Sequence, residues 1–231
     1  NLNLTILMIG CLVILYTVLG GTKAVSQTQK QQMIVILTGL IIAFFVLIFK
    51  LPEGVSFGDA VGVAGKMGKL NVVDFEFDLS NRYNIWSALL GGTFLFLSYF
   101  GTDQSQVSRY LSGKSLTESR LGLLFNGIFK VPMQFMILFV GIMVFMFFEF
   151  TQPPVHFNEA NRQKLQGTEY QAELDNLQET HTAVFTEKRT AIYELIDLMD
   201  DETSNETAID QAVEEVKVLH KRDQEIREEV K

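Results

Sequence analysis

Residues 124–139 read LFNGIFKVPMQFMILF, a lysine and a proline set inside an apolar run that extends from residue 121 to 148. A run of that length can cross a bilayer whose hydrocarbon core is roughly 30 Å thick. Lys130 lies ten residues past Arg120, which at about 1.5 Å of rise per residue places it about 15 Å into the membrane. An ammonium at that depth costs at least about 2.5–3.5 kcal/mol, so something must offset it. Asn126 and Gln134 stand four residues to either side of Lys130, and on a helix the three share one face. Pro132 removes a backbone donor and frees a carbonyl. A polar stripe of this kind is expected to face protein or a water-filled path and to serve as a solute-binding or ion-pathway face. The plainer reading is a lysine that pairs with a carboxylate or snorkels toward the cytoplasm.

Working outward from this run, hydropathy marks three more spans, giving four in all at about 2–19, 33–49, 86–100 and 121–148. The third is short and carries Gly91-Gly92, and the fourth is expected to tilt or kink at Pro132. Basic residues orient them. The loop 20–32 holds Lys23 and Lys30 and no acid, and the loop 101–120 holds Arg109, Lys114 and Arg120 against Asp103 and Glu118. The positive-inside rule puts both loops in the cytoplasm. Residues 70–79, LNVVDFEFDL, alternate apolar and acidic side chains and read as a strand or an extended surface segment.

The charge is unevenly spread. Through Phe148 there are ten Lys/Arg against seven Asp/Glu; from Glu149 onward there are nine against twenty. The chain therefore divides into a membrane region, 1–150, and an acidic helical loop, 151–231, that the loop charges place outside the cytoplasm. In that loop Leu174, Leu177, Val184, Ile192, Leu195 and Leu198 form a helical stripe. DDETSNET interrupts it, and Ile209, Val213, Val216 and Leu219 resume it, as in a helical hairpin.

Several kinds of chemistry are excluded. A single Cys11 allows no disulfide within the chain, and His156, His181 and His220 have no metal-ligand spacing. No nucleophile elbow, phosphate loop or paired-cysteine motif is present, so neither an enzyme nor a resident metal is expected. The acidic balance argues against nucleic-acid binding. The start at Asn1 and the span pattern suggest an excerpt of a longer protein that needs its remaining helices to fold. The third span, a short hydrophobic segment with paired glycines that ends in LFLSYFGTDQSQVSRYLSGKS, suggests a discontinuous helix of the kind that lines a transport site.

Three motifs, YTVLGGTKAVSQTQKQQ, YFGTDQSQVSRYLSGKS and FKVP, together resemble the sodium:solute symporter family, which includes sodium/glucose and sodium/proline carriers. The resemblance covers most of residues 1–150. It implies an all-α membrane protein, a fragment of a five-plus-five inverted repeat whose main sodium site lies on helices outside this chain. It also implies a solute site at Lys130 and Tyr99, with Phe96 one turn before Tyr99, and an ion pathway at Thr28 and Gln29; the helical spacing adds Asn126 and Gln134 to the solute site. Phe96 stands where sugar carriers have an asparagine, Leu95 and Asp103 where the proline carrier has tryptophan and proline, and Gln29 where the family has an acid. The implied function is sodium-coupled symport of a small polar solute (a sugar, polyol or related carboxylate) by alternating access. The setting is a lipid bilayer, the inner membrane of a bacterium. The rival expectation is a membrane-anchored sensor or scaffold presenting the outer hairpin.

Overall fold

The computed structural model describes residues 2–71, 73–78, 81, 84–111, 113, 115–165, 167–201, 203 and 205–230. Among them the regular elements are all helices: α1 (Leu2–Phe49), α2 (Phe57–Lys66), α3 (Ile85–Gly101), α4 (Gln104–Leu111), α5 (Leu116–Phe150), α6 (Glu159–Leu165), α7 (Gln171–Asp200) and α8 (Glu206–Glu229). Helices α1 and α5 are long and apolar enough to cross a membrane, and α3 with α4 makes a third candidate if the bent pair is one span. The chain forms two compact units, residues 1–44 with 73–138 and residues 45–72 with 139–231.

In the first unit α1 is two helical pieces joined at Gly21, whose φ of 55° and ψ of −155° lie outside the helical region. Only glycine adopts that conformation readily. Gly20 is needed as well, because a Cβ there would collide with the side chain of Ala24. The segment 20–32, expected as a loop, is therefore helical on both sides of one sharp hinge. Two glycines are enough to turn the chain, so its polar residues continue the second helical piece.

The third span is discontinuous as expected, but the paired glycines do not interrupt it, since α3 runs through Gly91-Gly92. The break falls at its end instead. Asp103 Oδ1 accepts from the backbone N–H of Ser105 at 2.8 Å and of Gln106 at 3.3 Å, capping α4. The α4 axis departs from α3 by 58°. Phe100 of α3 stacks on Tyr110 of α4 at 6.2 Å between ring centroids, which helps hold the bend. A mid-helix glycine leaves the hydrogen-bond ladder intact, whereas an aspartate that captures backbone donors starts a new helix.

Within the alternating stretch at 70–79, residues 73–78 are an extended surface segment, with no strand pairing among the described residues. Its polar groups turn to the start of α3. Ile85 N–H donates to Asp74 O at 2.8 Å, Asn81 Nδ2 to Asp74 Oδ2 at 3.0 Å, and Trp86 Nε1 to Phe75 O at 3.3 Å. Asn84 then caps α3 by accepting from Ser87 N–H at 2.8 Å.

The second unit has an interior. Helix α2 begins with a reciprocal cap, Asp59 N–H to Ser56 Oγ at 3.1 Å and Ser56 N–H to Asp59 Oδ2 at 2.7 Å. It buries Ala60, Val63 and Ala64. The end of α5 buries Met143 and Met146, and the α7–α8 hairpin buries Val184, Ile192, Leu195 and Val216. Asn205 caps α8 after the polar turn by accepting from Thr207 N–H at 3.2 Å.

Candidate functional site

The two longer sequence motifs meet in the first unit. The hinge in α1 and the bend before α4 together enclose a cleft of about 450 Å³. From α1 it takes Thr17, Thr22, Ser26 and Gln29; from α4 it takes Ser105, Ser108 and Arg109. Thr22, Ser26 and Gln29 recur every three to four residues, so one helical face carries them all. Ser105 and Ser108 are likewise one turn apart. Gly21 itself lines the cleft. The same residue that breaks the helix thus leaves room at the site.

The lining is hydroxyl- and amide-rich with one guanidinium. Neutral oxygens can replace part of the hydration shell of an alkali cation, while a guanidinium suits a carboxylate. Among the described residues no group of three or more His, Cys, Asp or Glu side chains could hold a metal ion.

The sequence-predicted residues divide accordingly. Gln29 lies in the cleft. Thr28, one position on, is half-buried and donates its hydroxyl to Ala24 O at 2.9 Å. Lys130, Asn126 and Gln134 project from α5 with exposed side chains and do not line the cleft. Tyr99 and Phe96 sit in an aromatic cluster around Phe100, at 5.1 and 5.9 Å between centroids, and likewise lie outside it. Sequence reasoning missed Ser105, Ser108 and the Thr22–Ser26 face, although the hydroxyls stood inside the quoted motifs. The available signal was their helical spacing, which reading the segment as a loop concealed.

A second polar assembly, in the second unit, was missed altogether. Lys188 of α7 is fully buried between Glu149 of α5, with Nζ to Oε2 at 3.1 Å, and Asp223 of α8, with Nζ to Oδ2 at 3.3 Å. His181 Nε2 lies 3.0 Å from Asp223 Oδ1, and His220 Nδ1 lies 3.0 Å from Glu149 Oε1. Gln152 Nε2 extends the chain to His181 Nδ1 at 3.4 Å and donates to Thr182 Oγ1 at 2.9 Å. Burial pushes the Asp223 carboxyl upward, but the His181 hydrogen bond and the Lys188 charge outweigh it and hold the group below the usual carboxylate range. The spacing signal was present here too. Leu174, His181, Lys188 and Leu195 recur every seven residues, which puts a histidine and a lysine on the core stripe of α7.

The cleft thus gathers hydroxyls at a hinge within a helix long and apolar enough to cross a membrane. The model of the sodium:solute symporter family matches residues 1–172, and the chain belongs to that family. It is 31% identical to the human sodium/iodide cotransporter over 153 residues, 64% of this chain and 23% of the relative. It is 34% identical to mouse sodium-coupled monocarboxylate transporter 2 over 126 residues, 54% of this chain and 20% of the relative. Over 115 residues it is 33% identical to the rabbit sodium-dependent multivitamin transporter, covering 50% and 18% of the two chains. The matched part is thus about a fifth of each relative's length. No solved structure matches the chain. Membership makes the protein an integral membrane protein.

Proposed function

We propose that the whole protein carries out sodium-coupled symport of a small carboxylate or polyol by alternating access, and that the α1–α4 cleft is part of the path by which ion and solute leave toward the cytoplasm. The observation that carries this reading is the meeting of the two family motifs in one polar cleft at a glycine hinge. The excess of basic residues in 20–32 and 101–120 supports a cytoplasmic position for this end of the helices, whether the segment is loop or helix. Arg109 in the cleft and Lys130 on α5 supply cationic donors for a carboxylate. Phe96, in place of the asparagine of sugar carriers, weighs against a hexose. Relatives named for monocarboxylates, iodide and vitamins lean the same way.

In this mechanism Lys130 binds solute oxygens, Asn126 and Gln134 complete its polar face, and Tyr99 with Phe96 closes the solute from the cytoplasmic side. Thr28 and Gln29 pass sodium. The sodium gradient drives the cycle, and the protein supplies different affinities in two states. The test is uptake of labelled monocarboxylates, polyols and sugars by the full-length protein in proteoliposomes, with an inward sodium gradient against potassium. Sodium-dependent uptake of a carboxylate, abolished by Lys130→Met, is the expected result. Sodium-independent uptake would overturn the coupling. No uptake of any pool would favour the anchored sensor.

A further inference from the structure

We propose that the second unit holds a binding site for a small organic oxyanion, separate from the transport path. Beside the buried ion network lies a cavity of about 320 Å³, within the size range of small-molecule sites. Three cations line it: Lys69, Lys188 and Arg227. Lys188 is taken by Glu149 and Asp223, which also hold His220 and His181. The cavity's two carboxylates are therefore engaged within the network.

Lys69 and Arg227 stand apart from it. Neither makes an ion pair with a carboxylate among the described residues. Each instead lies against an aromatic ring, Lys69 Nζ at 4.7 Å from the centroid of Phe145 and the Arg227 guanidinium at 5.2 Å from that of Phe157. The Arg227 Nε atom is shielded from solvent and has no hydrogen-bond partner. A buried donor left unpaired is unfavourable, and an acceptor arriving in the cavity would remove that cost. Arg227 also lines a neighbouring cavity of about 540 Å³ with Phe157 and Gln224.

The chemistry of the walls defines the ligand. Two cations flanked by aromatic faces fit one carboxylate or phosphate oxygen pair on an apolar stem. Phe145, Phe148 and Phe157 would pack that stem. The chain's net charge of −8 does not oppose this at close range, because exposed charges beyond about 8 Å are screened at physiological salt. Both a free carboxylate and the headgroup of an anionic lipid offer this chemistry.

The test is titration of fluorobenzoate into the full-length protein in phosphatidylcholine nanodiscs without sodium, followed by fluorine NMR. Saturable binding is expected. Arg227→Gln should weaken it about tenfold or more and Lys69→Gln severalfold, with Lys221→Gln, an exposed lysine of α8, unchanged. Binding should persist in Lys130→Met, so failure of the transport reading and of this site are distinguishable. Arg227→Lys, which keeps the charge, should retain more affinity than Arg227→Gln at equal helicity. Competition when phosphatidylglycerol is added to the nanodiscs supports the site and identifies a lipid headgroup; undiminished binding supports it with a free solute. Absence of binding, or binding indifferent to both Arg227→Gln and Lys69→Gln, would overturn the proposal.

Discussion

The two units bury opposite things. In the first, apolar side chains point outward along α1, α3 and α5, and polar groups collect in a cleft at the Gly21 hinge. In the second, apolar side chains fill the interior and the polar network lies buried among them. The first unit's outward apolar faces suit lipid or other apolar helices as surroundings, where the hydrophobic effect does not draw them together. The second unit's core follows the ordinary logic of water-driven burial. The same side-chain types therefore play different parts. Lys130 is exposed on α5 and is proposed to meet solute, whereas Lys188 is buried and meets carboxylates.

The largest expected effect tests the buried side of this contrast. Lys188→Met removes the cation and leaves Glu149 and Asp223 buried together, which should destabilise the second unit by about 3–5 kcal/mol. Hydrogen exchange across α7 and α8 would register it as a matching loss of protection. Restoring neutrality with Glu149→Gln and Asp223→Asn in the same chain should recover a substantial part. No change in the single variant would show that the network contributes little.

On the open side, Gly21→Val forces a branched residue into a conformation that is nearly restricted to glycine, at about 1–3 kcal/mol. The expected outcome is a straightened α1 and impaired uptake, with the second unit's thermal melt unchanged. A distance measurement between spin labels at residues 10 and 36 would show whether the hinge has opened. Next in size, Gln29→Ala should raise the sodium concentration for half-maximal uptake about tenfold, equivalent to about 1.4 kcal/mol. Equal sodium dependence in variant and wild type would remove Gln29 from the ion route.

The smallest effect concerns acid. Asp223 has a depressed folded-state value, so its stabilising contribution is complete above its unfolded value of about 3.9. It is lost as the pH falls through the lower folded value. Circular-dichroism melts below about pH 4 should show the second unit's transition falling, with a shallower acid slope in Asp223→Asn. A pH-independent melt would mean that the carboxyl is not held ionised by its partners.

Much of this was legible before any coordinates. The long apolar runs around Lys130 and at the chain start, the break in DDETSNET and the hairpin stripes all rest on local periodicity, which is written directly in residue order. The family motifs also pointed to Gln29. Legibility stopped where a residue's role depends on a distant partner. The polar end of the third span marked its discontinuity, but not the residue that makes it: α3 runs unbroken through Gly91-Gly92, and Asp103 makes the break by capturing backbone donors. The acidic–apolar alternation at 73–78 looked strand-like, yet Asp74 and Phe75 spend their carbonyls on α3. His181 and Lys188 looked like tail polarity until α8 and the end of α5 brought Asp223 and Glu149 to them.

The sequence by itself determined the helical class, the long apolar runs and the family, because each follows from composition, spacing and motifs along the chain. Only the tertiary structure decided which hydroxyls share a cleft, which lysine is neutralised and which arginine is left facing an aromatic wall. Those outcomes depend on contacts between residues far apart in sequence, such as Lys188 with Asp223, and on the desolvation that accompanies them.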